Sequence, residues 1–213
     1  MPSFSKILEV IALIFSLVAF KATRPVFLRV LTLLLFITVV NEIFIIPYIP
    51  SHNFGYNIFS FIDMLVWFYL FFNIHTNKRI KYGIVIAAIC CLSYSFIELV
   101  YISGWDVMHI NSFRLYELCI IAFSTLYFYE INKKDYHNLL TDPLFWFCSA
   151  CFIFHLLLFL NFTTINEKNY WNLQNSRLVF IILQTVAITF YYVLICIAFS
   201  ICYYKYKETR QKF

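Results

Sequence analysis

The sequence predicts an all-α, polytopic membrane bundle of seven transmembrane helices, with the N-terminus outside and the C-terminus cytoplasmic. Three observations lead to this prediction. Of the 213 residues, 62% are hydrophobic and 13% are charged, whereas soluble domains have roughly 45–50% apolar and about 25% charged residues. The apolar residues form seven long stretches, and most basic residues fall at every second connection between them. These features argue against a water-soluble enzyme, a coiled coil or a disulfide-rich scaffold.

The seven apolar stretches have the length of membrane-spanning helices. A helix needs about 20 apolar residues to cross a hydrocarbon core of ~30 Å. Because seven such helices use nearly the whole chain, we expect residues 1–213 to form a single transmembrane domain. The predicted spans are Ser3–Phe20, Val26–Ile49, Tyr56–Ile74, Ile80–Ile102, Asn111–Glu130, Leu144–Asn161 and Arg177–Tyr204.

Turn-forming residues mark the ends of several spans. Pro25 suits the first helical position of the second span, where its missing N–H costs nothing, and Pro47 closes that span. Asp142 followed by Pro143 predicts an N-cap and a first helical residue. The sixth helix is therefore expected to begin at this pair.

The distribution of basic residues predicts the orientation. The connections after the second, fourth and sixth spans are Ser51–Gly55, Ser103–Ile110 and Phe162–Ser176, and they contain a single lysine, Lys168. Cytoplasmic loops of membrane proteins carry the excess of Lys and Arg. We therefore expect the remaining connections and the C-terminus to be cytoplasmic, and the net charge of +5 indicates no nucleic-acid binding. The basic residues of these cytoplasmic segments are Lys21, Arg24, Lys78, Arg79, Lys81, Lys133, Lys134, Lys205, Lys207, Arg210 and Lys212.

The first span has an alternative interpretation. Lys6 followed by an apolar run to Phe20 has the pattern of a secretory signal peptide. Cleavage would place Lys21 and Arg24 outside the membrane, against the charge pattern of the other connections. We therefore interpret this segment as a transmembrane helix.

Polar and ionisable residues inside the spans are the candidates for a functional site, because each is costly in lipid unless it is partnered or hydrated. A rise of roughly 1.5 Å per residue places Glu42, Asp63, Glu117 and His155 about 9–12 Å from the outer ends of their helices, and Glu98 about 6 Å. This shared depth predicts an outward-facing polar pocket for a small ligand, ion or proton. The candidate ligand-binding residues are Asn41, Glu42, Asn57, Asp63, Glu98, Arg114, Glu117, His155 and Gln184.

The same residues allow a purely structural interpretation. Arg114 with Glu117, or His155 with an acid, can form interhelical pairs that fix the packing. Four carboxylates against one or two cations leave excess negative charge, which a bound cation or protons would neutralise. Both interpretations stay open at this point, and a proton relay is a third.

No motif indicates catalysis or a cofactor. The chain lacks GxSxG, HExxH, P-loop and GxGxxG motifs, and a catalytic zinc site usually has three protein ligands. We therefore expect no cofactor, metal site or catalytic residue, although His155 with Asp63 and Glu117 is a minor metal-binding alternative. The seven cysteines are expected to pack without disulfides, and the aromatic run Trp67–Phe72 to face lipid or pack.

Two short motifs carry a family resemblance. They are Asn41-Glu42 ahead of Ile46-Pro47, and Tyr56-Asn57-Ile58-Phe59 leading to Asp63 and the aromatic run Phe68–Phe72. In these motifs the chain resembles small, uncharacterised seven-helix integral membrane proteins of Bacteroidota, in which glutamate is more usual at the position of Asp63. The resemblance implies a sensory or accessory role beside a signalling protein.

The sequence thus predicts a multi-pass protein of the bacterial inner (plasma) membrane. The bias toward Lys, Asn, Ile, Phe and Tyr is typical of AT-rich bacterial genomes. The predicted function is a non-enzymatic sensor or accessory subunit that couples a small ligand, cation or proton to a membrane signalling partner. The alternative is a small transporter or intramembrane enzyme that uses the same pocket, although glycine- or proline-broken helices, which are common in transporters, are lacking in mid-span.

Overall fold

The computed structural model describes residues 2–20, 26–48, 52–133, 138–165 and 174–211, and these residues are mostly helical. No strand occurs in these ranges, so the all-α prediction is confirmed. The helices are α1 (Pro2–Ala19), α2 (Val26–Val40), α3 (His52–Ile74), α4 (Lys78–Ile97), α5 (Ile110–Asn132), α6 (Pro143–Ile165) and α7 (Gln174–Gln211).

Within the described ranges, five segments are long and apolar enough to cross a membrane: Val26–Tyr48, Asn53–Ile74, Lys78–Ser103, Pro143–Thr163 and Ile181–Glu208. Large apolar side chains cover the outer surfaces of these segments; examples that are more than half exposed are Leu33, Ile86, Ile89 and Ile102. A soluble monomer rarely exposes a large contiguous apolar surface, so this is the pattern of an integral membrane protein.

The local sequence explains where several helices begin. The Asn77 side chain accepts a hydrogen bond from the backbone N–H of Arg79 at 2.9 Å, and this caps α4. Asp142 does the same for α6, because its Oδ1 accepts from the N–H of Leu144 at 3.0 Å. The predicted start of the sixth helix at Pro143 is confirmed. The predictions for Pro25 and Lys168 lie outside the described residues.

Two helices widen into π-helical turns at one end of the bundle. The helix α2 continues through a π-helical turn, Asn41–Ile45, into a short 3₁₀ turn, Ile46–Tyr48, and α4 continues through the π-helical turn Glu98–Ser103. In the first of these, the N–H of Ile46 bonds to the Asn41 carbonyl. The next residue is Pro47, which has no N–H to continue the ladder. The regular α-helix therefore ends before Pro47, and the predicted end of the second span at Ile49 lies outside the described residues.

The hydrophobic core extends through the bundle into the half opposite these turns. The helix α6 packs between α5 and α7, and α1 packs against α2 and α7. Aromatic rings join α3, α5 and α6, because Phe71 contacts Phe123 and Phe147 with centroids 6.1 and 6.3 Å apart. His75, at the end of α3, is fully buried, and its Nδ1 lies 3.0 Å from Oε2 of Glu130. Its Nε2 lies 3.2 Å from the Phe123 carbonyl.

Candidate functional site

A cavity of about 270 Å³ lies among α2, α3, α5, α6 and α7. We call it the central cavity. It occupies the half of the bundle that includes the loop 104–109, which the charge pattern predicts to be the outer half. The polar or aromatic side chains that line it are Thr38, Tyr56, Phe59, Ser60, Asp63, Trp67, Phe113, Tyr116, Glu117, Phe154, His155, Phe162, Tyr191 and Tyr192.

His155 and Glu117 form a buried pair across α5 and α6. Each side chain is only 2% exposed, and Nδ1 of His155 contacts Oε2 of Glu117 in a short hydrogen bond. When Glu117 is ionised, its carboxylate accepts, and Nδ1 of His155 then carries the donated proton. The other ring nitrogen, Nε2, has no hydrogen-bond partner among the described residues. A buried polar atom is normally paired, so this one calls for an explanation.

Asp63 faces the same cavity from α3. Its Oδ1 accepts from Nε1 of Trp67, four residues later on the same helix face, at 3.1 Å. Its Oδ2 accepts from the hydroxyl of Tyr116 at 3.2 Å. Asp63 also interacts electrostatically with His155 and Glu117. Two carboxyl groups and one imidazole therefore share the cavity.

Aromatic rings surround the His155 imidazole. The rings of Trp67 and Tyr116 meet it nearly edge-on, at centroid distances of 5.1 and 5.7 Å. Phe154 meets it at 5.2 Å, and the Phe154 ring in turn lies 4.7 Å from that of Tyr191. The site therefore combines acidic groups with an aromatic wall.

Glu42 is linked to the central cavity through a lining residue. The hydroxyl of Tyr56 lines the cavity and donates to Oε2 of Glu42 at 3.2 Å. Lys6 donates from Nζ to the Glu42 backbone carbonyl at 2.8 Å. On the α7 side, the hydroxyl of Tyr192 hydrogen-bonds to Glu9 of α1. Tyr56 and Tyr192 thus lie between the cavity and two further acidic residues, Glu42 and Glu9.

Asn57 holds the loop 104–109 against α3. Its Nδ2 donates to the carbonyls of Trp105 and Val107 at 2.8 and 3.0 Å, and its Oδ1 lies 2.8 Å from Nδ1 of His109. Gly104 opens this loop with φ = 79°, a left-handed conformation that glycine adopts without strain. Burial lowers the pKa of His109 to about 4, and the charge of Glu98 partly offsets that effect.

The side chains of Glu98 and Arg114 form hydrogen bonds with backbone groups at helix ends. Glu98, from the π-helical turn of α4, accepts from the backbone N–H groups of Asn111 and Ser112 at 3.1 and 2.7 Å, which caps α5. Arg114 donates from Nε to the Phe162 carbonyl at 2.9 Å near the end of α6. Of the two interhelical pairs proposed from the sequence, His155 with an acid is formed, whereas Arg114 bonds to a carbonyl of α6.

Three of the nine candidate residues meet at the central cavity: Asp63, Glu117 and His155. Glu42 is connected to it through Tyr56. The other five do not line it, and the Gln184 side chain is exposed on α7. Ligand binding by these residues stays a prediction. These five are Asn41, Asn57, Glu98, Arg114 and Gln184.

The described residues include no group of three or more His, Cys, Asp and Glu side chains placed to hold a metal ion. The seven cysteines, all of which are described, are free thiols. Cys91 and Cys119 contact each other across α4 and α5 with their sulfurs 3.8 Å apart. The polar chemistry of the cavity therefore comes from carboxyl, imidazole, phenol and indole groups.

Sequence reasoning missed the aromatic residues that complete the site. Trp67 belongs to a run that was expected to face lipid or pack, yet it is 3% exposed and bonds to Asp63. A usable signal was the spacing of Asp63 and Trp67, since residues four apart lie on one helix face. The adjacent Tyr191 and Tyr192 stand in mid-span, away from the interfaces where tyrosines are usual.

Comparison with known proteins adds no relative to this picture. The chain matches no protein-family model, no curated protein and no solved structure. The function must therefore be argued from the cavity itself.

Proposed function

We propose that this chain is a seven-span sensor or accessory subunit of a bacterial inner membrane, and that its central cavity binds a small ligand, ion or proton from outside. The observation that carries the proposal is the buried Nε2 of His155, which lacks a partner among the described residues and belongs to a residue that lines an open volume. Among the buried side-chain atoms that lack a partner in the described residues, Nε2 of His155 is the one whose residue lines the central cavity.

The seven-span arrangement adds α1 and α5 to the five segments of membrane length, and it rests on how these two helices pack. The helix α1 lies against α2 and α7, and α5 lies against α4 and α6, so both stand beside helices of membrane length. The 23 residues of α5 measure about 34 Å at roughly 1.5 Å per residue. The charge pattern supports an outside N-terminus and a cytoplasmic C-terminus, and the resemblance to small proteins of Bacteroidota supports the bacterial inner membrane.

Cysteine labelling in intact cells tests the orientation. His52→Cys and Trp105→Cys are expected to react with a membrane-impermeant maleimide from outside, whereas Lys133→Cys reacts only after the membrane is opened. The native cysteines are replaced beforehand. The reverse pattern would refute the proposed orientation.

Labelling inside the cavity tests the binding proposal. Leu158 lines the central cavity, whereas Ile120 is fully buried in the core. We expect Leu158→Cys to react from outside with a small cationic thiosulfonate, and the matched control Ile120→Cys to resist it. Equal resistance at both positions would contradict an outward-open cavity.

Reconstitution separates a sensor from a transporter. In proteoliposomes a sensor binds without net flux, whereas a transporter accumulates its substrate. Uptake that Asp63→Asn abolishes would replace the sensor proposal with a transport function.

A further inference from the structure

We propose that the central cavity recognises a primary ammonium group carried on a compact, ring-sized apolar body. This inference rests on the proposed function and specifies the chemical class of its ligand. The argument combines the charge of the cavity, its hydrogen-bonding groups, its aromatic wall and its volume.

The charge of the lining favours a cation. Asp63 and Glu117 contribute two carboxyl groups and His155 one imidazole, while no Lys or Arg belongs to the described lining. Even a doubly protonated His155 compensates only one of two carboxylates. An uncompensated charge in a water-poor site is costly, so a ligand that supplies one positive charge removes this cost.

The hydrogen-bonding groups favour a cation with several N–H donors. When the Glu117 carboxylate is ionised it accepts from Nδ1 of His155, and the neutral ring then has Nε2 as an acceptor. Asp63 accepts one bond at each oxygen, and each carboxylate oxygen has room for a second. A primary ammonium offers three donors and no acceptor, so it complements both groups, whereas a quaternary ammonium leaves Nε2 of His155 unpaired.

The aromatic wall favours an organic cation over a metal ion. Trp67, Tyr116, Phe154 and Tyr191 line the cavity, and aromatic faces attract organic ammonium groups and pack against apolar carbon. A divalent metal would need several oxygen or nitrogen ligands around one point. The described side chains offer no group of three such ligands.

The volume limits the size of the ligand. A cavity of about 270 Å³ holds roughly nine water molecules at ~30 Å³ each. It therefore accommodates one ring with a short side chain, and it is slightly smaller than a typical pocket for a drug-sized molecule.

The test compares two probes that differ only in the recognised group. 2-Phenylethylammonium and the neutral 2-phenylethanol are titrated calorimetrically at pH 7.5 into the purified full-length protein in detergent micelles, with empty micelles as a blank. We expect the ammonium to bind at least tenfold more tightly than the alcohol. Equal affinities would overturn the inference, and this comparison needs no variant that has to fold.

Variants then locate the binding. Asp63→Asn is expected to weaken the ammonium at least tenfold while the alcohol changes less than twofold. Glu130→Gln is the matched control in the packed half, and we expect it to change neither affinity by more than twofold. An equal loss of affinity for the ammonium in Asp63→Asn and Glu130→Gln would overturn the inference. Saturable binding of zinc chloride that His155→Gln abolishes would also overturn it.

The two proposals fail separately. If 2-phenylethylammonium does not bind but Leu158→Cys is labelled from outside, the ammonium inference falls and the outward cavity stands. If Leu158→Cys resists the reagent, the proposed function falls whatever the calorimetry shows.

Discussion

Among the described residues, two histidine–glutamate pairs with buried imidazoles differ in the hydrogen bonding of one ring nitrogen. In the packed half, His75 contacts Glu130 through Nδ1 and the Phe123 carbonyl through Nε2. In the cavity half, His155 contacts Glu117 through Nδ1, and Nε2 has no hydrogen-bond partner among the described residues. The first pair is complete within the fold, and the second is incomplete.

This difference separates a packing role from a binding role. Both pairs join two helices, so the interhelical bond by itself says nothing about function. His75 is fully buried and stacks on the Phe71 ring, whereas His155 borders an open volume. The His75–Glu130 pair therefore contributes to packing, since both ring nitrogens are bonded within the fold. Under the proposed function, Nε2 of His155 accepts a hydrogen bond from a molecule that enters the cavity.

The largest expected effect compares ring deletions in the two halves. Phe71 is fully buried and contacts four rings, so Phe71→Ala should lower the free energy of unfolding by about 3–5 kcal/mol. Phe154 already borders the cavity, so Phe154→Ala should cost only about 1–2 kcal/mol. Unfolding by sodium dodecyl sulfate in mixed micelles measures both. Similar losses would contradict a difference in packing between the halves.

A bound ligand should stabilise the protein through the incomplete pair. At one hundred times its dissociation constant, 2-phenylethylammonium should raise the free energy of unfolding by about 2.7 kcal/mol. The same assay should show the full gain in Glu130→Gln, whereas a loss of affinity of tenfold or more in Asp63→Asn should leave at most about 1.4 kcal/mol. A gain of full size in Asp63→Asn would mean that the probe binds elsewhere.

His109 extends the comparison because, within the described part of the chain, its buried ring hydrogen-bonds to Asn57 and Ser60 and to no carboxylate. Burial lowers its pKa from 6.5 to about 4, so the unfolded chain binds a proton that the folded chain does not. This group therefore costs stability as the pH falls from about 6.5 toward 4, by at most ~1.4 kcal/mol per pH unit. Unfolding measured at pH 7.5, 6 and 5 should show a shallower slope in His109→Gln. Identical slopes would contradict this assignment.

The smallest expected effect is spectroscopic. Both ring nitrogens of His75 have hydrogen-bond partners within the fold, so its ¹⁵N resonances should not change on adding 2-phenylethylammonium. The Nε2 resonance of His155 should shift on the same addition, because this nitrogen has no partner among the described residues. A shift at His75 of equal size would remove the distinction between the pairs.

The helical architecture was predictable because it follows from composition and local chemistry. Apolar runs of membrane length and the Asp142-Pro143 pair give the positions of helices directly. The shared depth of Asp63, Glu117 and His155 was also predictable from counting residues along spans of alternating direction.

The rotation of each helix about its axis was not predictable in this way. Glu98 and Arg114 were expected in the same polar pocket, yet Glu98 caps α5 and Arg114 bonds to the end of α6. Depth is read from one sequence, whereas the direction of a side chain depends on which neighbours the helix packs against. Tyr116 and Trp67 were overlooked for the same reason, since an aromatic residue toward lipid and one toward a cavity have the same spacing.

The unbroken course of α7 has a mechanical consequence. Tyr191 stands in the wall of the cavity, and the helix continues without interruption to Gln211, a distance of about 30 Å at roughly 1.5 Å per residue. A straight helix of that length behaves as a lever. Tilting it by only five degrees or so at the tyrosine swings its far, lysine-bearing tip by about 2–3 Å, which is large enough to remake contacts with whatever that tip touches.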